Sequence, residues 1–219
     1  MATILGLEEI EQENTAVDEL ETENVNLIFV GVDCSGSMDA FIKNMKSELQ
    51  AFKTAVAKSK EADEILAARG NFSDTIQIGG YKKISEFDDS YQTYGMTKLY
   101  DVIVEGGDKL LQYRDYLRKQ GMRVKAVFSI FSDGADTDSK HKLADAKAKI
   151  TELNKNEIVT AFISFGKDSV KIATDLKFKN VLEVGRSESE LRKAFSCLSK
   201  SVIENSKSVT NKTDDFFTI

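Results

Sequence analysis

Two cysteines, Cys34 and Cys197, and one histidine, His141, are all the thiol and imidazole groups that 219 residues provide. The cysteines are far apart, so no disulfide framework is expected, and the set is too small for a structural zinc site. Proline is absent altogether, for no evident physical reason. No apolar run is long enough to span a bilayer, so no membrane partner is expected. The opening MATILGLEEIEQEN lacks the basic start and long apolar centre of a signal peptide, and a cytoplasmic location is the expectation. The phosphate-binding pattern G-x-x-x-x-G-K-[ST] is missing, which excludes a P-loop ATPase. Positive charge is nowhere clustered, so the chain shows no nucleic-acid footprint.

What is present describes one sizeable α/β domain. The chain is 41% hydrophobic and 30% charged, within the range of globular proteins. Its net charge of −6 is unevenly placed. Residues 1–24 carry eight acids and no Lys or Arg, and without them 30 bases face 28 acids. Such a segment repels itself and offers only a thin apolar stripe, so a solvated, flexible arm is expected over 1–24. The domain proper is expected over 25–203, with a Ser-, Lys- and Asn-rich tail over 204–219.

The organising stretch is VNLIFVGVDCSGSM, Val25 to Met38. Its apolar run suits a parallel strand buried on both faces. It stops at Asp33, followed by Ser35 and Ser37. One carboxylate and two hydroxyls thus sit at the carboxyl end of a strand, where open α/β sheets place ligand sites. The alternation lets the three side chains converge. Hard oxygen donors suit Mg²⁺, Mn²⁺ or Ca²⁺ rather than zinc. On these residues alone the stretch reads equally well as a capped helix start.

Further along, Met38 to about Lys60 has helical spacing, with Phe41, Met45, Leu49, Phe52 and Val56 on one side. The helical tendency restarts through Glu61 to Ala68 and stops near Gly70, a plausible C-cap. Asp74 to Tyr81 alternates like a half-buried strand, and Ile84 to Phe87 is placed to return beside it. Leu99 to Lys119 is helical, with Gly106 and Gly107 as a possible break. Arg123 to Phe131 is a second buried strand ending at Ser132 and Asp133. A helix from Lys140 to Asn154, with Leu143 inward, precedes a strand at Ile158 to Phe165. A short helix near Ser169 to Leu176, a strand at Asn180 to Val184 and a helix from Glu188 to about Ile203 follow. This alternation implies right-handed crossovers and a doubly wound, mostly parallel sheet with helices on both faces.

The DCSGS following an apolar strand, Thr97 in YGMTKLYD and Asp133 in VFSIFSDGAD together resemble the metal-ion-dependent adhesion site of the von Willebrand factor type A domain. The resemblance covers roughly Asn24 to Ser201 and matches all five motif positions. It implies a Rossmann-like α/β fold with one antiparallel edge strand, which Ile84 to Phe87 can supply. It also implies that Ser35, Ser37 and Thr97 ligate one Mg²⁺-type ion through hydroxyls. Asp33 and Asp133 would contact the ion directly or through water. Neutral hydroxyls leave most of the ion's charge uncompensated, so a partner's Asp or Glu can complete its coordination.

Other residues carry less. Met96, Asp136 and Asp138 are possible partner-surface residues, the last two equally readable as a solvated helix entry. Cys34 reads as a small buried packing residue and His141 as a surface residue. An Asp nucleophile usually wants a second acid two residues on, where Ser35 stands instead. A Ser nucleophile would need His141 within reach. The protein is therefore expected not to be an enzyme. The expected function is a metal-dependent adaptor that docks an acidic side chain of a protein partner, an AAA+ ATPase or a larger assembly among the candidates. The resemblance is to stand-alone intracellular microbial or phage forms. A structural or assembly component, phage-encoded, in which the ion mainly stabilises the loops, is the alternative; a metal-dependent hydrolase is the remote one.

Overall fold

A computed structural model describes residue 10 and residues 13–59, 64–134, 136–185, 187–208, 211 and 213–217. Strands β1 (Asn24–Asp33), β2 (Glu64–Phe72), β3 (Ile76–Ile78), β4 (Lys82–Lys83), β5 (Arg123–Ser132), β6 (Val159–Phe165) and β7 (Asn180–Val184) form one sheet. Its order is β3-β2-β1-β5-β6-β7, with β4 also on β2. Pairing is parallel along β2-β1-β5-β6-β7, and β3 and β4 run antiparallel to β2. The helices are α1 (Ile42–Ala57), α2 (Leu99–Lys119), α3 (Leu143–Lys155), α4 (Lys167–Asp175) and α5 (Glu188–Lys207).

β1 lies inside the sheet and is buried on both faces, which is why its apolar run is nearly continuous. Ile28, Val30 and Val32 face α1 and α5, whose Met45, Leu49, Phe52, Leu191, Phe195 and Leu198 fill that side. Leu27 and Phe29 face α2 and α3. Phe29 stacks on Phe128 at 4.8 Å. Its ring also occupies the space over Gly106, where a Cβ would come within 2.4 Å of it. Gly106 therefore brings α2 close to the sheet, and the helix runs unbroken through the glycine pair.

Several expectations are corrected. Residues 64–72 form a parallel strand, not a resumed helix, while 61–63 lie outside the described residues. Glu and Ala favour a helix locally, but Ile65 to Ala68 are buried on both faces beside β1, and burial outweighs propensity. Gly70 is no cap; it lies inside β2, where a Cβ would come within 2.5 Å of Phe29. The antiparallel strands are Ile76–Ile78 and Lys82–Lys83, and Ile84–Glu86 is a 3₁₀ turn. Leu143 is 43% exposed rather than inward, because it opens its helix at the rim.

Both proposed domain boundaries shift. In the amino-terminal segment Ile10, Asn14 and Thr15 are buried. Asn14 Oδ1 accepts the Tyr81 N–H at 2.7 Å, and Tyr113 Oη donates to the Thr15 carbonyl at 2.7 Å. The segment is thus part of the domain from Asn14 at the latest, its polar groups paired with backbone beside β4 and α2; residues 1–9, 11 and 12 lie outside the described residues. At the other end α5 continues to Lys207, its last carbonyls met by Lys125 Nζ. Phe216 is 2% exposed and packs into the α1–α5 side, its N–H donating to Asn180 Oδ1 at 2.9 Å. Among the described residues, no helix is long and apolar enough to cross a membrane.

Candidate metal centre

From β1 the chain moves outward to β2, and it later returns to the other side of β1 as β5. The carboxyl ends of β1 and β5 therefore border the crevice where the winding reverses. Asp33 ends β1 there and is fully buried. Its Oδ1 accepts the Ser35 N–H at 2.9 Å, and its Oδ2 accepts Ser132 Oγ at 2.6 Å. Ser132 Oγ accepts in turn the Gly134 N–H at 2.9 Å. Gly134 has φ +91° and passes so close to Ser169 that a Cβ would lie 2.5 Å from it, so the turn after Asp133 requires glycine.

Ser35 and Ser37 lie on one side of their loop, their hydroxyl oxygens 3.0 Å apart. Ser35 is buried and Ser37 exposed, so the pair runs from the interior to solvent. Thr97 is 4% exposed. Its backbone is fastened to the next loop: its N–H donates to Thr137 Oγ1 at 2.8 Å, and its carbonyl accepts the Thr137 N–H at 2.9 Å. Neither bond uses its hydroxyl.

The Thr97 loop is tied to the Asp33 loop at three points. Tyr91 Oη donates to the Asp33 carbonyl at 2.6 Å, the Tyr94 N–H to the Cys34 carbonyl at 2.8 Å, and the Gly36 N–H to the Gly95 carbonyl at 3.1 Å. Asp74 fixes the turn itself, accepting the Met96 N–H at 2.6 Å. Gly95 beneath it has φ +66°, and a Cβ there would lie 2.0 Å from the Asp74 carboxylate. Behind the loop, buried Arg69 donates to Asn71 Oδ1 at 2.7 Å and to the Asp88 carbonyl at 2.6 Å.

The electrostatics of the site centre on two acids, Asp33 and Asp133. Burial pushes the Asp33 carboxyl up to about 6; hydrogen bonds from Ser132 and Ser35 oppose the shift, and the nearby charge of Asp133 adds to it. Asp133 Oδ1 is buried and has no hydrogen-bond partner, the one carboxylate oxygen in that state among the described residues. A fully buried carboxylate thus has a half-buried one near it, whose inner oxygen is an orphaned acceptor. Unmet buried charge of this kind calls for a cation. The five residues fit a hard divalent ion, offering oxygen donors alone: two carboxylates and three hydroxyls. No group of three or more His, Cys, Asp or Glu able to hold a metal is found among the described residues.

The remaining candidates are placed as follows. Asp136 Oδ1 accepts the Tyr100 N–H at 3.1 Å and Ser139 Oγ at 2.6 Å, capping the first turn of α2. Asp138 is paired with Lys98 at 2.7 Å. Met96 is 50% exposed at the rim. Cys34 is buried in the apolar cluster, and burial pushes its thiol up to about 11, as for a packing residue. His141 is held by buried Asp101, Nδ1 to Oδ1 at 2.8 Å. Reading the sequence missed Ser132, Tyr91, Asp74, Thr137 and Arg69. Ser132 adjoins Asp133 and was visible as a strand-end hydroxyl. The others act across the fold and leave no local signal.

No family model matches the chain, and no curated protein matches it. Solved structures do. A von Willebrand factor type A protein from Catenulispora acidiphila is 18% identical, with a TM-score of 0.59 over 82% of this chain and 43% of that one. The pilus adhesin SpaC of Lactobacillus rhamnosus GG, in its open conformation, is 13% identical, with a TM-score of 0.65 over 85% and 31%. Proximal thread matrix protein 1 of the mussel byssus, with a zinc-occupied adhesion-site motif, is 19% identical, with a TM-score of 0.54 over 82% and 46%. The chain spans less than half the length of each. Its fold is the Rossmann-like α/β fold of the von Willebrand factor type A domain.

Proposed function

We propose that this protein is a metal-dependent protein-binding domain in which Asp33, Ser35, Ser37, Thr97 and Asp133 hold one Mg²⁺-type ion, Mn²⁺ or Ca²⁺ being able to replace it. The observation that carries the reading is the buried, unpartnered Asp133 Oδ1 beside fully buried Asp33. When bound, the ion supplies a positive centre with a coordination position open to a partner's carboxylate. Asp33 and Asp133 provide the charge that retains it. Ser35, Ser37 and Thr97 add oxygen without adding negative charge, which preserves its attraction for an incoming acid. Ser132, Tyr91 and Thr137 hold those groups in place. The role is binding rather than catalysis. The partner, on this reading, is a cytoplasmic protein presenting Asp or Glu, an AAA+ ATPase or a larger assembly among the candidates.

The zinc-occupied motif of the byssus protein supports metal binding by this fold. That protein and the pilus adhesin also lend weight to a second reading, a component of an assembly whose ion stabilises loops. Capture from the native host separates the two. On the adaptor reading, a partner retained in Mg²⁺ is released by EDTA, and Asp133→Asn, which keeps shape and removes charge, retains it at least about tenfold less. Equal retention in EDTA overturns the adaptor reading.

A further inference from the structure

The large apolar side chains that are exposed among the described residues are Ile42, Tyr94, Met96 and Leu143. All four lie at one end of the molecule. Ile42 opens α1 and Leu143 opens α3, both at the carboxyl end of the sheet, and Tyr94 and Met96 stand on the loop that brings in Thr97. Exposed apolar surface gathered at one end, beside a cluster of oxygen donors, marks an interaction face. Tyr94 and Met96 are the most exposed, at 46% and 50%. Their backbone is clamped: the Tyr94 N–H on Cys34, the Met96 N–H on Asp74, and Gly95 between them at φ +66°. Two apolar side chains on a rigid turn lose little freedom when a partner packs against them.

The charges nearby narrow what can pack there. Lys98, the one cation of the 91–98 loop, is committed to Asp138 at 2.7 Å. Asp39 holds Thr93 Oγ1, and Asp74 holds the Met96 N–H. A second acidic group packed over this turn would meet these carboxylates, with no free cation on this loop to offset them and with Lys43 and Lys142 standing off it at the helix starts. An apolar group would meet Tyr94 and Met96.

We propose that the partner binds through a segment carrying a single acidic side chain flanked by a large apolar one. The acid faces the Asp33, Ser35, Ser37, Thr97 and Asp133 pocket, and the apolar neighbour covers Tyr94 and Met96. This rests on the metal-docking reading and sharpens it, because acidic runs are selected against. The probe is a random heptapeptide phage library panned on the full chain in Mg²⁺ and eluted with EDTA. The released sequences are expected to carry one Asp or Glu with Leu, Ile, Met, Phe or Trp within two positions. Panned on Tyr94→Ser/Met96→Ser, with Mg²⁺ binding checked by calorimetry, the library keeps the acid and loses the apolar enrichment. Should the double substitution disturb Mg²⁺ binding, Met96→Ser alone gives the same readout. Released sequences rich in acidic runs, or apolar enrichment that survives the substitutions, overturn this inference and leave metal docking standing. A library with no EDTA-released sequence from Mg²⁺-binding protein overturns both.

Discussion

At Asp33 a proton and a metal ion compete for the same buried carboxylate. Its folded value, about 6 against an ordinary 3.8, means that the folded chain holds this proton more tightly than the unfolded chain does. The metal-free fold therefore loses stability as pH rises from about 4 to about 6, because the unfolded state gives up the proton first. Mg²⁺ affinity runs the other way. It should fall about tenfold per pH unit below 6 and level off above. Calorimetric titrations across this range check it, and an affinity flat from about pH 5 to about pH 7 contradicts it. Gly95 makes a second test. Gly95→Ala forces a Cβ onto a left-handed turn and to within 2.0 Å of the Asp74 carboxylate. A stability loss of about 1–2 kcal/mol and weaker Mg²⁺ binding are expected, read by urea unfolding and calorimetry. An alanine variant as stable as wild type would show that the turn is not clamped as described.

Among the elements, the two ends of the chain depart furthest from sequence expectation, and for one reason. Both are polar in composition, yet each inserts a few buried groups. Asn14 resembles any loop asparagine in sequence; in the fold its carboxamide accepts the buried Tyr81 N–H at 2.7 Å and donates to the Ile10 carbonyl at 2.8 Å. Asn14→Ala leaves that N–H unmet and should cost about 1–3 kcal/mol in denaturant unfolding. A cost near zero would restore the solvated arm. Phe216, after a Ser- and Lys-rich stretch, closes the α1–α5 side of the core and is pinned by Asn180, whose Nδ2 also donates to the Thr213 carbonyl at 2.9 Å. Phe216→Ala should destabilise the fold by about 3 kcal/mol. β2 shows the opposite error. Glu64 to Ala68 reads as helix because propensity is local, while its strand state depends on β1, which lies more than thirty residues earlier.

For the molecule as a whole, the α/β class and the strand ends that carry the candidate donors were legible from the sequence. β1 and β5 are interior strands, so their apolar runs are long and stop abruptly at Asp33 and Ser132. Four of the five donors stand at or just past those stops, and Thr97 comes from the loop before α2. The clamps that hold them were not legible, since Tyr91 to Asp33, Asp74 to Met96 and Thr137 to Thr97 join residues between 22 and 58 positions apart. The central claim is that these parts make one metal site. Titration calorimetry of the full chain with Mg²⁺ and with Mn²⁺, beside Asp33→Ala and Asp133→Asn, tests it most directly. The account predicts saturable binding of one ion per chain by the wild type, lost in Asp33→Ala and weakened at least about tenfold in Asp133→Asn, with both variants folded. A folded wild type that takes up neither ion at millimolar concentration would contradict it.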